Sequence, residues 1–349
     1  MKRLFACLAA LSLLVGLFAG CGQSTGEVLY LYNWTEYIPQ EVYDQFEAET
    51  GIRVIEATFS SNEEMLAKLQ AGGTGQYDLV VASNYVVSAM KAEGMIQPID
   101  KSKMENLGNI DPAYMDLEYD PGNEYTIPYM GTLTVIAANK PMLEELGVTI
   151  ESLNDLTNPA LQNNLVIPDD CREVVDTALK VKGEDPDSQD QAVIEGTIDW
   201  LSQLKGNVRA YDSDNAKDKL IYNDVAAGLV YNLDAAVAVM ENPDVEVLFV
   251  DEPYEMAIDS FVITSDAKNK ENAEKFIDFI HRGDVYKIAA EEYPALCFNN
   301  AAFDLMDDEY KKNPAFNVPK EEITRAHITG DVGDAAGWYD EVFTRMKTN

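Results

Sequence analysis

The chain has 349 residues, which is enough for two domains of ordinary size. It carries 26 Lys and Arg residues against 61 Asp and Glu residues, a formal charge of −35. Because nucleic acids and anionic lipids bind basic surfaces, this acidity argues against both as partners. Apolar residues make up 46% of the chain and charged residues 25%, which is the composition of a globular protein.

Residues 1–20 have the pattern of a secretory signal peptide. Lys2 and Arg3 precede an uncharged apolar run over residues 4–20, and a small-residue pair ends that run just before Cys21. This arrangement resembles a bacterial lipobox, although Phe18 stands where that motif usually has Leu. The resemblance implies that Cys21 is acylated and anchors the protein to a membrane. The alternative is an uncleaved anchor, for which 17 apolar residues are borderline.

Residues 21–26 are therefore predicted to be a lipidated cysteine and a short polar linker. Beyond them only Cys171 and Cys297 remain in the mature chain. A disulfide between the two is possible in an oxidising compartment, but two free thiols are the prediction. The chain has no Cys-x-x-Cys motif and no Cys/His cluster, so the sequence predicts no metal site and no cofactor.

From Val28 onward, strand and helix patterns alternate along the chain. This alternation predicts an α/β fold with largely parallel sheets. The predicted strands are Val28–Tyr32, Ile52–Ala57, Tyr77–Ala82, Leu133–Ala138, Leu165–Ile167, Leu229–Tyr231, Val245–Val250 and Ile258–Thr264. Helices are predicted over Pro39–Thr50, after the capping-box sequence at Ser61, over Tyr85–Glu93 and over Asp170–Lys182.

Motifs of enzyme chemistry are missing from the sequence. There is no nucleophile elbow, phosphate-binding loop or zinc-protease helix. The two histidines, His281 and His327, have no neighbouring motif and are predicted to lie on the surface or on helix faces. The acidic run of residues 212–214 is not a calcium loop, because Lys217 stands where that loop needs glycine.

Acidic and aromatic residues recur where predicted strands end, which is where α/β sheets bind ligands. Carboxylates beside aromatic rings suit an ammonium ligand, and none of these strand ends carries a Lys. For the first group, aromatic packing with a solvated Glu36 is an equal alternative, and Asp170 with Glu173 also has capping-box spacing. The groups are Tyr32–Tyr37, Ser83–Tyr85, Asp169–Glu173, Tyr231–Asp234 and Asp259–Ser260.

These motifs resemble the spermidine/putrescine-binding proteins of bacterial ABC importers. The same holds for Lys91–Gln97, Ile99–Lys103 and Asp331–Gly333, so the likeness covers nearly all of the mature chain. It implies a two-lobed periplasmic-binding-protein fold of type II, with the ligand cleft between the lobes. The first lobe would comprise residues 27–135 and 258–302, and the second residues 136–257 and 303–349.

The resemblance also implies a role for individual residues. Asp170 and Glu173 would hold one amine, Asp259 another, and Tyr293 would close on the methylene chain between them. The full set of ligand-binding residues is Trp34, Thr35, Glu36, Tyr37, Ser83, Tyr85, Asp170, Glu173, Tyr231, Asp234, Asp259, Tyr293 and Thr329.

Four positions bear on which ligand is bound. Tyr231 stands where the family usually has Trp, and Asp234 is an acid found in putrescine-type members. Ala257 replaces an aromatic residue, and Thr329 replaces a Gln that can contact a longer polyamine. The expected function is polyamine capture and delivery to an ABC permease. The alternatives are a receptor for another organic cation or amino-acid-like solute and, less favoured, an exported enzyme.

Overall fold

The computed structural model describes residues 27–348. The predicted signal peptide, Cys21 and the linker lie outside these described residues. Within 27–348, no helix is both long enough and apolar enough to cross a membrane. Cys171 and Cys297 are free thiols, which agrees with the sequence prediction.

Twelve strands and fifteen α-helices form the described part of the chain, with short 3₁₀ turns between them. The strands are β1 Val28–Trp34, β2 Arg53–Phe59, β3 Leu79–Ser83, β4 Ile96–Gln97, β5 Thr126–Asn139, β6 Leu165–Ile167, β7 Val208–Tyr211, β8 Ala227–Tyr231, β9 Val245–Leu248, β10 Glu255–Thr264, β11 Leu296–Cys297 and β12 His327–Ile328.

The helices lie between and after these strands. They are α1 Gln40–Thr50, α2 Asn62–Gln70, α3 Asn84–Ala92, α4 Lys140–Leu146, α5 Cys171–Val181, α6 Gln191–Glu195, α7 Ile198–Lys205, α8 Ala216–Ile221, α9 Asn232–Glu241, α10 Lys270–Ile280, α11 Gly283–Glu292, α12 Asn300–Leu305, α13 Asp308–Lys312, α14 Lys320–Arg325 and α15 Ala336–Thr348.

The main sheet path runs β2-β1-β3-β10-β5-β8-β6-β7. Parallel pairs form its two ends: β1 with β2 and β3, and β6 with β7 and β8. In the middle, β10 and β5 run antiparallel to each other and to their outer neighbours β3 and β8. The prediction of largely parallel sheets is therefore wrong, because two long strands cross the middle of the sheet in opposite directions.

Strand β5 belongs to both halves of the molecule. Its residues from Thr126 to Leu133 pair with β10, and those from Thr134 to Asn139 pair with β8 and β9. We name the part of the sheet on the β10 side the first half-sheet and the part on the β8 side the second half-sheet. This continuous strand joins the two halves, and a cleft lies between them.

Helix ends follow the sequence signals. The Ser61 hydroxyl accepts from the Glu64 backbone N–H at 3.2 Å and caps α2. Gly51 ends α1 with φ at +74°, a left-handed conformation that glycine adopts without steric cost. Asp170 caps α5 by accepting from the N–H groups of Arg172 and Glu173. Each cap fixes where a helix begins or ends relative to the strand beside it.

The core lies along the middle strands. Every residue of β3 and β10 is buried, and apart from one position so is β5. His281 is fully buried, with Nδ1 2.7 Å from the Ile277 carbonyl and Nε2 2.9 Å from the Pro128 carbonyl. The prediction of a surface or helix-face histidine is wrong here, since the ring is buried and donates a hydrogen bond to a backbone carbonyl within reach. Burial also lowers the pKa of His281.

Candidate functional site

The cleft between the half-sheets brings together most of the predicted ligand-binding residues. It is bounded by the carboxyl ends of β1, β3 and β8, the start of α5, and the middle of β10. The lining residues are Trp34, Thr35, Glu36, Tyr37, Phe59, Ser60, Asn62, Ser83, Tyr85, Thr132, Asp170, Glu173, Ser213, Asp214, Tyr231, Leu233, Ala257 and Asp259.

Asp259 is the acidic group of the first half-sheet. Its side chain is 3% exposed, and β10 places it opposite Ser83 of β3. Its Oδ2 atom accepts a hydrogen bond from the Tyr37 hydroxyl at 2.6 Å, and Oδ1 accepts from the Ser83 hydroxyl at 2.6 Å. Burial raises the pKa of Asp259, and the two hydroxyl donors oppose that shift. Both donors are neutral, so the carboxylate charge has no counter-ion among them.

The second half-sheet contributes a pair of acids at the start of α5. Asp170 uses Oδ1 for the helix cap and Oδ2 to accept from the Tyr231 hydroxyl at 3.3 Å. Glu173 is 8% exposed and accepts from the Thr134 hydroxyl at 2.6 Å. Burial and then the charges of Asp170 and Glu255 raise the pKa of Glu173 to about 8.

The predicted capping box is thus only half formed. Asp170 caps the helix, while the Glu173 carboxylate bonds to Thr134 of β5 and faces the cleft. A cation bound between the two acids would stabilise their ionised forms.

Aromatic rings form the remaining walls. Trp34 packs on Phe59 with ring centroids 4.6 Å apart, and Tyr37 packs edge-on against Tyr129 at 5.6 Å. Asn62 donates to the hydroxyl of Tyr85 at 2.6 Å, which fixes that ring at the cleft. These rings give the cleft dry surfaces between its charged groups.

Arg172 holds α5 in place behind the cleft. Its guanidinium is 3.3 Å from Asp176 and 2.9 Å from Asp187, and it donates to the Gly330 carbonyl at 3.2 Å. The residue is only 4% exposed. Arg172 is therefore committed to internal partners, and its guanidinium is not available to a carboxylate ligand.

Comparison with known proteins assigns this architecture to a family. Residues 41–318 match the family model described as bacterial extracellular solute-binding protein. The chain belongs to this family. Three similar proteins extend the match over nearly the whole chain.

A spermidine/putrescine-binding periplasmic protein of Salmonella typhimurium is 39% identical over 340 residues, which is 97% of each chain. Among solved structures, the spermidine/putrescine ABC transporter substrate-binding protein PotD of Streptococcus pneumoniae is 32% identical, with a TM-score of 0.77. The match covers 92% of this chain and 98% of the Streptococcus pneumoniae chain. A lipoprotein of Treponema pallidum is 26% identical, with a TM-score of 0.79 over 92% and 99% of the chains. These matches confirm the family resemblance and the two-lobed α/β fold predicted from the sequence.

One basic residue that the sequence did not predict lies beside the cleft lining of this solute-binding protein. The Lys217 ammonium lies 3.2 Å from Glu36 Oε2 and 3.5 Å from Asp234 Oδ1. Asp234 itself is buried and is not among the lining residues, so the predicted ligand acid is paired with a protein lysine instead. Burial raises the pKa of Asp234 to about 7, against the opposing charge of Lys217.

Two other predicted residues also lie outside the lining. Thr329 is 2% exposed, and its hydroxyl donates to Glu255 at 3.1 Å while its carbonyl accepts from Asn84. Tyr293 is at the end of α11, and burial together with the charges of nearby acids such as Glu36 raises its pKa.

Some lining residues were not predicted from the sequence. Ser213 and Asp214 follow β7, a strand that the sequence analysis did not identify. The polar loop directly after Val208–Tyr211 was the available signal, because it has the same strand-end position as the other groups. The other missed residues lie in or next to β2 and β5, two strands whose predicted ranges are too short. They are Phe59, Ser60 and Thr132.

Proposed function

We propose that this solute-binding protein captures a polyamine, putrescine or spermidine, in the cleft and delivers it to an ABC import permease. One observation carries the proposal. Carboxylates from both half-sheets, Asp259 on one side and Asp170 with Glu173 on the other, line one aromatic-walled cleft. Polyamines carry ammonium groups on a thin apolar stem, and this arrangement matches both features.

The charge of the cleft separates this proposal from an amino-acid receptor. An amino-acid-like ligand needs a cation for its carboxylate, and Arg172 is engaged with Asp176 and Asp187. No Lys or Arg appears among the described lining residues.

We also propose that the protein has no catalytic activity. Its relatives are binding proteins, and no group of metal-ligating side chains occurs in residues 27–348. Neither histidine lines the cleft, because His281 is in the core and His327 pairs with Asp187 at 2.7 Å. Binding and release then require only that the lobes close over the ligand and reopen at the permease.

We propose lobe boundaries close to the sequence expectation of 27–135 with 258–302 and 136–257 with 303–349. The support is the change of pairing partner between Leu133 and Thr134 in β5. In β10, residues 255–256 pair with β12, whereas residues from Asp259 onward pair with β3. Both crossing strands change neighbours within a few residues of the proposed boundaries.

The first expected result concerns ligand class. The chain from residue 22 onward should bind at least one of putrescine, cadaverine, spermidine and spermine with a Kd at or below roughly 10 μM, about −7 kcal/mol. Isothermal titration calorimetry measures this directly. Flat titrations with all four polyamines would reject the proposal.

We propose further that Cys21 carries a lipid anchor that holds the protein at the outer face of the cell membrane or in the periplasm. The support is the uncharged run ending in Ala19-Gly20 before Cys21. A polar linker, residues 22–26, would then separate the lipid from the folded chain.

Cys21→Ala should abolish acylation, because the thiol is the acyl acceptor. Metabolic labelling with radioactive palmitate in a host that processes lipoproteins measures this. Cys7→Ala is the matched control, since Cys7 lies within the predicted signal and should leave labelling at the parental level. Full labelling of the Cys21→Ala protein would show that the lipobox assignment is wrong.

A further inference from the structure

Lys217 links the two sides of the cleft by ion pairs. It lies on α8, beside the second half-sheet, and its ammonium contacts Asp234 of α9 on the same side at 3.5 Å. It also contacts Glu36, which follows β1 of the first half-sheet, at 3.2 Å. The Asp214 carbonyl accepts a hydrogen bond from the same ammonium at 3.2 Å. A protein ammonium thus occupies a site built from an acid of each half.

The surroundings of Lys217 make this position suitable for a ligand amine. Glu36 lines the cleft and is about half exposed, so a group inside the cleft can reach it. Asp234 is nearly fully buried, and its Oδ2 atom has no hydrogen-bond partner among residues 27–348. Without Lys217, these two acids would have no cation beside them, and an ammonium from the cleft would be their natural counter-ion.

We propose that Lys217 limits the length of ligand that the cleft accepts, by occupying with its own ammonium the Glu36–Asp234 position that a third ligand ammonium would otherwise take. This inference rests on the proposed function and deepens it. A diamine held by Asp259 and by Asp170 with Glu173 leaves the Lys217 pairs intact. A triamine that extends toward Glu36 must break them and bring its third ammonium close to the like-charged Lys217. Lys217 therefore favours diamines over longer polyamines.

The test is the ratio of two dissociation constants, for putrescine and for spermidine, in the parent and in Lys217→Met. Methionine keeps an unbranched stem and removes the charge. If Lys217 also stabilises lobe closure, its loss affects both ligands alike, and the ratio cancels that effect. We expect the ratio to shift about tenfold or more toward spermidine, as fits the loss of a partly buried competing charge. A ratio within threefold of the parent would overturn the inference.

Two further variants separate this effect from general electrostatics. Lys219→Met makes the same charge change on the same helix, and Lys219 has no ion pair within the described chain. An equal shift in Lys219→Met would overturn the inference. The double variant Lys217→Met/Asp234→Asn restores the net charge and avoids an unpaired buried acid if Lys217→Met folds poorly. The double variant should lose most of the shift toward spermidine that Lys217→Met shows in the ratio of dissociation constants. Full retention of that shift would also overturn the inference.

The same titrations distinguish the inference from the proposed function. A parent protein that binds none of the polyamines refutes the proposed function and this inference with it. A parent protein that binds them with a ratio unaffected by Lys217→Met refutes only the inference.

Discussion

Asp259→Asn should weaken polyamine binding by roughly 30- to 4000-fold, which corresponds to about 2–5 kcal/mol. The substitution keeps the shape of the side chain and removes its charge. Asp259 is 3% exposed and accepts only from the neutral hydroxyls of Tyr37 and Ser83. A ligand ammonium enclosed beside the neutral amide would lose its counter-charge in a site shielded from water, where the loss costs most.

The stability of the ligand-free protein should change little in the same variant. The hydroxyls of Tyr37 and Ser83 can rotate to donate to the amide oxygen or accept from its NH₂ group. Asn also avoids the cost of burying a charge, which is the cause of the raised pKa of Asp259. A binding role therefore predicts a large loss of affinity in calorimetric titrations and little change in the melting temperature without ligand. A structural role predicts the reverse.

Asp199→Asn is the matched control. Asp199 is an exposed acid of α7, and its substitution changes the net charge by the same amount as Asp259→Asn. Its affinity should stay within threefold of the parent. The binding role of Asp259 would be contradicted by a large drop in the melting temperature of Asp259→Asn together with an affinity within threefold of the parent.

Asp259 could be predicted from the sequence because it lies inside an apolar strand, and the structure has it buried in β10. An acid inside an apolar strand needs a partner, and the structure supplies Tyr37 and Ser83. The partners themselves were not predictable as a pair, because Tyr37 follows β1, Ser83 ends β3, and the two lie 222 and 176 positions from Asp259 along the chain.

Strand direction was the main error at the level of the fold. Alternating strand and helix patterns favour parallel sheets, but a hydrophobic run does not encode which neighbour a strand takes. β5 and β10 run antiparallel because they cross between the half-sheets, and only their tertiary pairing shows this.

Lys217 illustrates the corresponding limit at the site. In the sequence it stands inside a rejected calcium-loop pattern, far from the strand-end groups. Its contacts with Glu36 and Asp234 depend on α8 lying next to the cleft mouth, and no local pattern predicts that placement. The absence of lysine from the predicted strand ends therefore did not exclude a lysine in contact with Glu36, a residue of the cleft lining.

Polyamine affinity should rise with pH between 6 and 9 because of Glu173. Without ligand, burial and the charges of Asp170 and Glu255 outweigh the opposing effects of Thr134 and Lys180 and raise its pKa to about 8, so most Glu173 is protonated at pH 6 and little is at pH 9. A bound ammonium favours the ionised carboxylate and lowers this pKa, so binding releases a proton. By linkage, affinity then increases with pH by roughly 10- to 100-fold over this range and levels off above pH 8.

The direction of the effect excludes the ligand as its source. Primary amines of the lysine type titrate near pH 10.4, so loss of ligand charge can only weaken binding at the upper end of the range. Burial also raises the pKa of Asp170, so a variant of Glu173 alone is needed to separate the two groups. Titrations in buffers of different ionisation enthalpy count the released proton independently of the affinity.

Glu173→Gln tests the assignment of that proton. The variant should bind more weakly at pH 9, with a smaller loss than Asp259→Asn because Asp170 still faces the same ammonium, and its affinity should be nearly constant from pH 7 to 9. It should also release less than half of the proton that the parent releases at pH 7. A parental slope that persists in Glu173→Gln would place the titrating group elsewhere, and a flat profile in the parent would mean that Glu173 is already ionised before the ligand arrives.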